Sequence, residues 1–153
     1  MNLRSLRSLL ERSSRAKFLR QAGPFYHVTT EANWKAIETE GLRPDRWNRE
    51  RYRYVMGAKE PFVCLAASWH RDKYVHMVRS DRRGQVVVLL ALAADVVAGL
   101  RVELDHTTDE KKFYESRDGT TEFSALVRAG VPLVCYDVVP PGALTLVERY
   151  EAL

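Results

Sequence analysis

Apolar and polar residues in this chain follow two rhythms, one helical and one extended, and the changes between them mark out its elements. Leu3, Leu6, Leu9 and Leu10, then Phe18 and Leu19, recur among arginines and serines, so the first twenty residues read as an amphipathic helix. Ala22-Gly23-Pro24 breaks it, and the apolar run Phe25-Tyr26-His27-Val28-Thr29 reads as a first strand. A helix over 31–40 follows, with an N-cap threonine, apolar Trp34 and Ile37, and Gly41 as its stop. Pro44 to Glu60 is irregular and rich in arginine and aromatics.

Pro61 to Ser68 predicts a buried strand, and Ser68 is placed to cap a helix carrying Trp69, Lys73, Tyr74, Met77 and Val78 up to the Ser80–Gly84 turn. Gln85 to Leu92 joins β-branching to an unbroken apolar run, which predicts a central strand. Asp95 to Gly99 predicts a helical turn and Leu100 to Leu104 an edge strand. Asp105 to Gly119 is polar and loop-like. Thr120 or Thr121 then caps a short helix ended by Gly130, Leu133 to Val139 predicts a strand, Pro140 to Ala143 breaks it, and Leu144 to Glu148 alternates as the last strand. The sum is a mixed α+β domain of about five to six strands and three or four helices, within the range of one sheet-containing domain.

Composition narrows this only a little. At 153 residues, 46% hydrophobic and 29% charged, the chain has the length and make-up of an ordinary soluble globular domain. The run Val86 to Ala94 is too short to span a bilayer. Cys64 and Cys135 lack CxxC spacing and sit in apolar runs, so both read as reduced core residues of a cytoplasmic protein.

Charge distribution says more than the net +4. Six basic residues against Glu11 alone give residues 1–20 a net +5, and five arginines against Asp45 and Glu50 give 43–53 a net +3. Two basic zones on a mildly acidic body suit a polyanion such as DNA or RNA, or a phosphate-bearing ligand; a solvated helix face and loop are the plainer alternative. The arginine- and serine-rich start also fits an organelle-targeting peptide, but it runs straight into the first strand, which favours an ordered accessory helix. The expected organisation is therefore a basic amphipathic helix over 1–22 and one domain over 23–153.

His27-x-Thr29, the capped helix and Gly41-Leu42-Arg43-Pro44 together resemble the opening of the ADP-ribosyltransferase superfamily. Gly84 to Leu89 with Asp95 to Leu100, and the closing Leu133 to Val139 run into Pro140-Pro141, resemble two of its branches, the DarT-type toxins and the RNA 2′-phosphotransferases. The resemblance covers roughly residues 24–148. It implies a split mixed or antiparallel sheet with flanking helices, here with an extra N-terminal helix. It implies NAD as co-substrate and a macromolecular acceptor.

Carried onto this chain, the resemblance gives His27 a hydrogen bond to the adenosine ribose and puts Thr29 beside the nicotinamide end. Ser68 falls near the nicotinamide ribose, Tyr74 offers a stacking face, and Arg71, Arg51 or Arg53 could hold the diphosphate. Tyr74 equally suits core packing, and any of the arginines suits solvent. Cleaving the nicotinamide–ribose bond needs a carboxylate against an oxocarbenium-like cation. The position corresponding to the toxins' glutamate falls near Pro132 here, so Glu122, then Glu115, are the substitutes; Glu122 also suits the first turn of a helix. The missing acid keeps the phosphotransferase branch open, as well as a non-catalytic module binding nucleic acid through its basic segments. His70 and His76 lack a third ligand at metal-site spacing, and no Gly-rich phosphate loop, GxSxG or HExxH occurs.

Overall fold

The computed structural model describes residues 2–46, 61–105 and 122–153. Six strands, β1 (Phe25–Thr30), β2 (Val63–Ala67), β3 (Val87–Leu92), β4 (Val102–Leu104), β5 (Leu133–Cys135) and β6 (Leu144–Tyr150), form one open sheet in the order β4-β5-β2-β1-β3-β6. Every pairing is antiparallel, so the sheet is not mixed, and β1 meets β2 only through Phe25–Ala67 and Tyr26–Ala66. Five α-helices accompany it among the described residues: α1 (Leu3–Ala22), α2 (Glu31–Glu40), α3 (Arg71–Asp81), α4 (Ala94–Ala98) and α5 (Phe123–Arg128). The domain is α+β.

Side chains alternate across each strand, and this sorts the core into two layers. Phe25, Val63, Leu65, Val88, Leu90, Leu92, Leu133 and Cys135 face one way and pack with Leu19 of α1, Ile37 of α2, Val97 of α4 and Leu126 of α5. Tyr26, Val28, Val87 and Leu89 face the other way, under Val75 of α3. Helices on both sides explain why β1 is buried at all six positions although three of them are His27, Thr29 and Thr30. A buried polar side chain must find a partner or a cavity.

Local signals account for most boundaries. Thr30 caps α2 by accepting the backbone N–H of Asn33 at 3.2 Å, and Gly41, at φ +82°, stops it in a conformation open to glycine. The apolar run of 87–92 lies inside the sheet between β1 and β6, and β4 is an edge strand. Cys64 and Cys135 are both reduced and buried.

Three features differ from expectation for physical reasons. Ser68 does not cap α3: a 3₁₀ turn at Ser68–His70 precedes the helix, and Trp69 in that turn donates its indole N–H to the Val127 carbonyl at 3.0 Å. The strand expected over 133–139 ends at Cys135, where Tyr136 N–H bonds the Arg101 carbonyl and the Asp137 carboxylate takes the Arg101 N–H at 2.7 Å. Val139 then pairs with Leu42 in a two-residue bridge away from the sheet. The leucines of α1 do not share one face with Phe18 and Leu19: Leu19 is buried, whereas Leu3, Leu6, Leu9 and Leu10 are exposed. α1 docks onto α4 and α5 through its C-terminal half.

Candidate functional site

Alternation along β1 turns His27 and Thr29 toward α2, and there they meet a cleft of about 300 Å³. One wall is the face of α2 carrying Ala32, Asn33, Ala36, Ile37 and Glu40, and the other is Gly41 to Arg43 with Arg46 and Val63. The small side chains of Ala32 and Ala36 leave this space open. The second wall is held from below, because Leu42 and Val139 exchange backbone hydrogen bonds of 2.9 Å in both directions.

His27 is only 3% exposed, and its Nδ1 lies 2.8 Å from the Cys64 carbonyl oxygen. A carbonyl can only accept, so Nδ1 carries the proton and donates it. Burial pushes the His27 pKa below its ordinary value, and the bond to the Cys64 carbonyl opposes this in part. The imidazole is therefore neutral at physiological pH, with Nε2 as an acceptor. With Nδ1 spent on Cys64, Nε2 is the one acceptor the ring retains, and His27 lines the cleft.

Around His27 the polar groups are ordered in turn. Asn33 Nδ2 donates to Thr29 Oγ1 at 3.0 Å, leaving the Asn33 amide oxygen as an acceptor. Arg43 grips Asp45 through two bonds of 3.1 and 2.8 Å, which raises the arginine's pKa and lowers the aspartate's. Arg46 bonds Glu40 at 2.6 Å. All four side chains are substantially exposed, so these pairs set charge and direction more than they add stability. The cleft thus joins a neutral acceptor at its floor to two guanidinium groups and one carboxylate in its lining.

The residues expected to act with His27 and Thr29 are not gathered here. Tyr74 belongs to the opposite layer, packed with Tyr26 and Val28 and against Cys64 and Val134, and its hydroxyl hydrogen-bonds the Cys64 thiol. Arg71 lies 5.6 Å over the Tyr26 ring and bonds Asp72. Ser68 is exposed just beyond Ala67, which pairs with Phe25 at the far end of β1 from Thr29. The sheet therefore separates Tyr74 and Arg71 from the cleft, and the length of β1 separates Ser68 from Thr29. Glu122 is an exposed residue preceding α5, where it accepts the Ser124 hydroxyl at 2.9 Å, and it does not line the cleft. Arg51, Arg53 and Glu115 lie outside the described residues.

Asn33, Glu40, Arg43 and Arg46 were not singled out by sequence reasoning. Their signal is helical geometry: Asn33, Ala36 and Glu40 follow one another at i, i+3 and i+7, on one side of a helix whose cap adjoins Thr29. Arg43 belongs to the Gly-Leu-Arg-Pro segment already noted.

A second hollow, of about 460 Å³, lies between α1 and β4 and is lined by Arg12, Arg15, Leu19, Arg101, Val102 and Phe123 among others. Arg15 sits 4.7 Å over the Phe123 ring and Arg101 4.8 Å over Tyr136. Val63 of the first cleft pairs with Cys135, which pairs in turn with Val102 of this groove. Two strand spacings, about 10 Å, thus separate these lining residues on one face of the sheet. Among the described residues no cluster of three or more His, Cys, Asp or Glu is arranged to hold a metal ion, and no helix is long and apolar enough to cross a membrane. No family model matches the chain, and the curated proteins compared with it gave no match.

Proposed function

We propose that this protein binds NAD in the His27 cleft and transfers ADP-ribose to a macromolecular acceptor, with nucleic acid ahead of protein. The observation that carries the reading is the fixed tautomer of His27. A neutral imidazole whose Nδ1–H is spent on Cys64 offers a rigid acceptor for a sugar hydroxyl at the floor of a cleft. Thr29 and Asn33 add a hydroxyl and an amide beside it. Arg43 and Arg46 suit a diphosphate by charge-assisted hydrogen bonds, in place of the arginines first considered. A volume near 300 Å³ is at the small end of ligand pockets, which run from about 300 to 1,000 Å³, and it accommodates one half of a dinucleotide.

In this reading the bond that breaks joins nicotinamide to ribose, and the acceptor atom takes the resulting cation at C1. The carboxylate in the cleft lining is Glu40, which takes over the role first given to Glu122 once NAD draws Arg46 away. The arginine-lined groove beside α1 favours a polyanionic acceptor.

The test is nicotinamide release from NAD by the full chain, with single-stranded DNA, RNA or protein supplied in turn. His27→Ala is expected to abolish release and Glu40→Gln to reduce it strongly. Failure to bind NAD at millimolar concentration, with salt-sensitive nucleic-acid binding intact, would overturn the reading in favour of a non-catalytic module. The phosphotransferase alternative draws on the same cleft, since histidine and two arginines line it and Glu122 does not. It requires nicotinamide release only in the presence of RNA bearing a 2′-phosphate.

A further inference from the structure

α1 carries two apolar faces, and the domain uses one of them. Phe18, Leu19 and Ala22 pack against the core, with the Phe18 ring edge-on to Phe123 at 6.1 Å. Leu3, Leu6, Leu9 and Leu10 are 86, 41, 58 and 62% exposed. At about 100° per residue, their centre lies roughly 150° round the helix from the docked face. No rearrangement of side chains within the domain brings both faces onto the same core.

Leu3, Leu6 and Leu10 are spaced by three and four residues, which is the seam of a helix that pairs with another helix. In that register Leu9 and Arg7 flank the seam, and Lys17 continues its line after Ser13. The apolar seam covers about two turns and becomes basic beyond them. Lys17 and Arg20 hold no carboxylate among the described residues, and Arg7 has the exposed Glu11 alone at 3.2 Å.

We propose that this leucine stripe is the docking surface for an acidic amphipathic helix of a partner protein. Leucines on the partner would close the seam, and glutamates or aspartates beside them would face Arg7 and Lys17. Charge decides between occupants. A second copy of α1 would set a net +5 segment against itself, and like charges across a helix pair are unfavourable. An anionic bilayer would meet the charge, but the stripe offers four leucines and no aromatic anchor, since Phe18 faces the domain. Phosphates alone gain nothing from exposed leucines. An acidic helix satisfies both the seam and the basic flank.

The probe is a labelled peptide with leucine at heptad a and d positions and glutamate at e and g, titrated into the full chain by fluorescence anisotropy. A scrambled peptide of the same composition serves as control. Binding by the patterned peptide is expected, weakened about tenfold or more by L6D/L10D and by K17E, and falling with added salt. Since these side chains are exposed, thermal unfolding of the variants should match the parent chain. Equal binding of the scrambled peptide would overturn the proposal. So would sedimentation showing self-association that L6D/L10D abolishes, or tighter binding to phosphatidylserine vesicles than to the peptide.

Discussion

Leu42 and Val139, far apart in the chain, exchange two backbone hydrogen bonds of 2.9 Å and so tie the Gly-Leu-Arg-Pro segment to the Val-Pro-Pro turn. Both residues are buried, and the pair sets the height of the wall that carries Arg43.

Gly41 allows that approach. Its φ of +82° with ψ 175° belongs to a region nearly restricted to glycine, and a Cβ there would press on the Val139 carbonyl oxygen. Gly41→Ala is therefore expected to destabilise the fold by about 1–3 kcal/mol, read as a lower urea midpoint. Gly142→Ala, where an added Cβ meets nothing within 4 Å, should stay within about 0.5 kcal/mol of the parent. Equal losses for both would mean that Gly41 does not hold the wall.

His27 predicts a dependence of stability on pH with a definite sign. Its folded pKa lies below the ordinary 6.5 because burial disfavours the cation. The unfolded chain therefore takes up a proton on this side chain as pH falls through 6.5, while the folded chain resists. Stability is complete above that value and declines below it, at up to about 1.4 kcal/mol per pH unit until the folded form also protonates. His27→Asn keeps an N–H donor for the Cys64 carbonyl and does not titrate. Urea midpoints between pH 7 and 5 should fall more steeply for the parent than for the variant; parallel slopes would refute a buried neutral histidine.

How much of this could be read from residues alone depends on how local each cause is. The Thr30 cap and the Gly41 stop were legible because each acts within one turn of its own helix. The interior position of β3 was legible because Val87 to Leu90 leaves no polar position for solvent. Partition between the faces of the sheet was not, since Tyr74 reaches the Cys64 side only because α3 crosses the layer containing Tyr26 and Val28. The lining of the cleft by Arg43 was equally hidden, because it depends on a pairing of Leu42 with Val139 that no local pattern encodes. His27 and Thr29 could be paired in advance, but not Glu40 with them.

Burial predicts slow thiol chemistry. Cys64 is pushed up to about 12 and Cys135 to about 11, in both cases chiefly by loss of solvent around the thiolate. A nucleophilic thiolate is then scarce at pH 8. A disulfide reagent should find almost no fast-reacting thiol in the native protein and both after unfolding in denaturant. A native cysteine that reacts stoichiometrically within seconds would contradict the packing around it.

Thr29 and Thr30 are adjacent and both buried, yet their hydroxyls have separate duties. Thr30 Oγ1 accepts the Asn33 backbone N–H and holds the first turn of α2, whereas Thr29 Oγ1 accepts the Asn33 side chain and lines the cleft. Thr30→Ala removes a cap, so it should cost about 1 kcal/mol of stability while NAD affinity, if the cleft binds it, changes little. Thr29→Ala frees the Asn33 amide instead, and it should weaken NAD binding by about three- to tenfold with a smaller effect on the urea midpoint. The two effects separate through Asn33. In a double-mutant cycle Asn33→Ala should couple with Thr29→Ala in the ligand titration, because removing either partner breaks the same side-chain bond. It should not couple with Thr30→Ala, because alanine retains the backbone N–H that Thr30 caps. Coupling to Thr30 alone would assign the His27-x-Thr29 pattern to helix capping and remove the cleft from consideration.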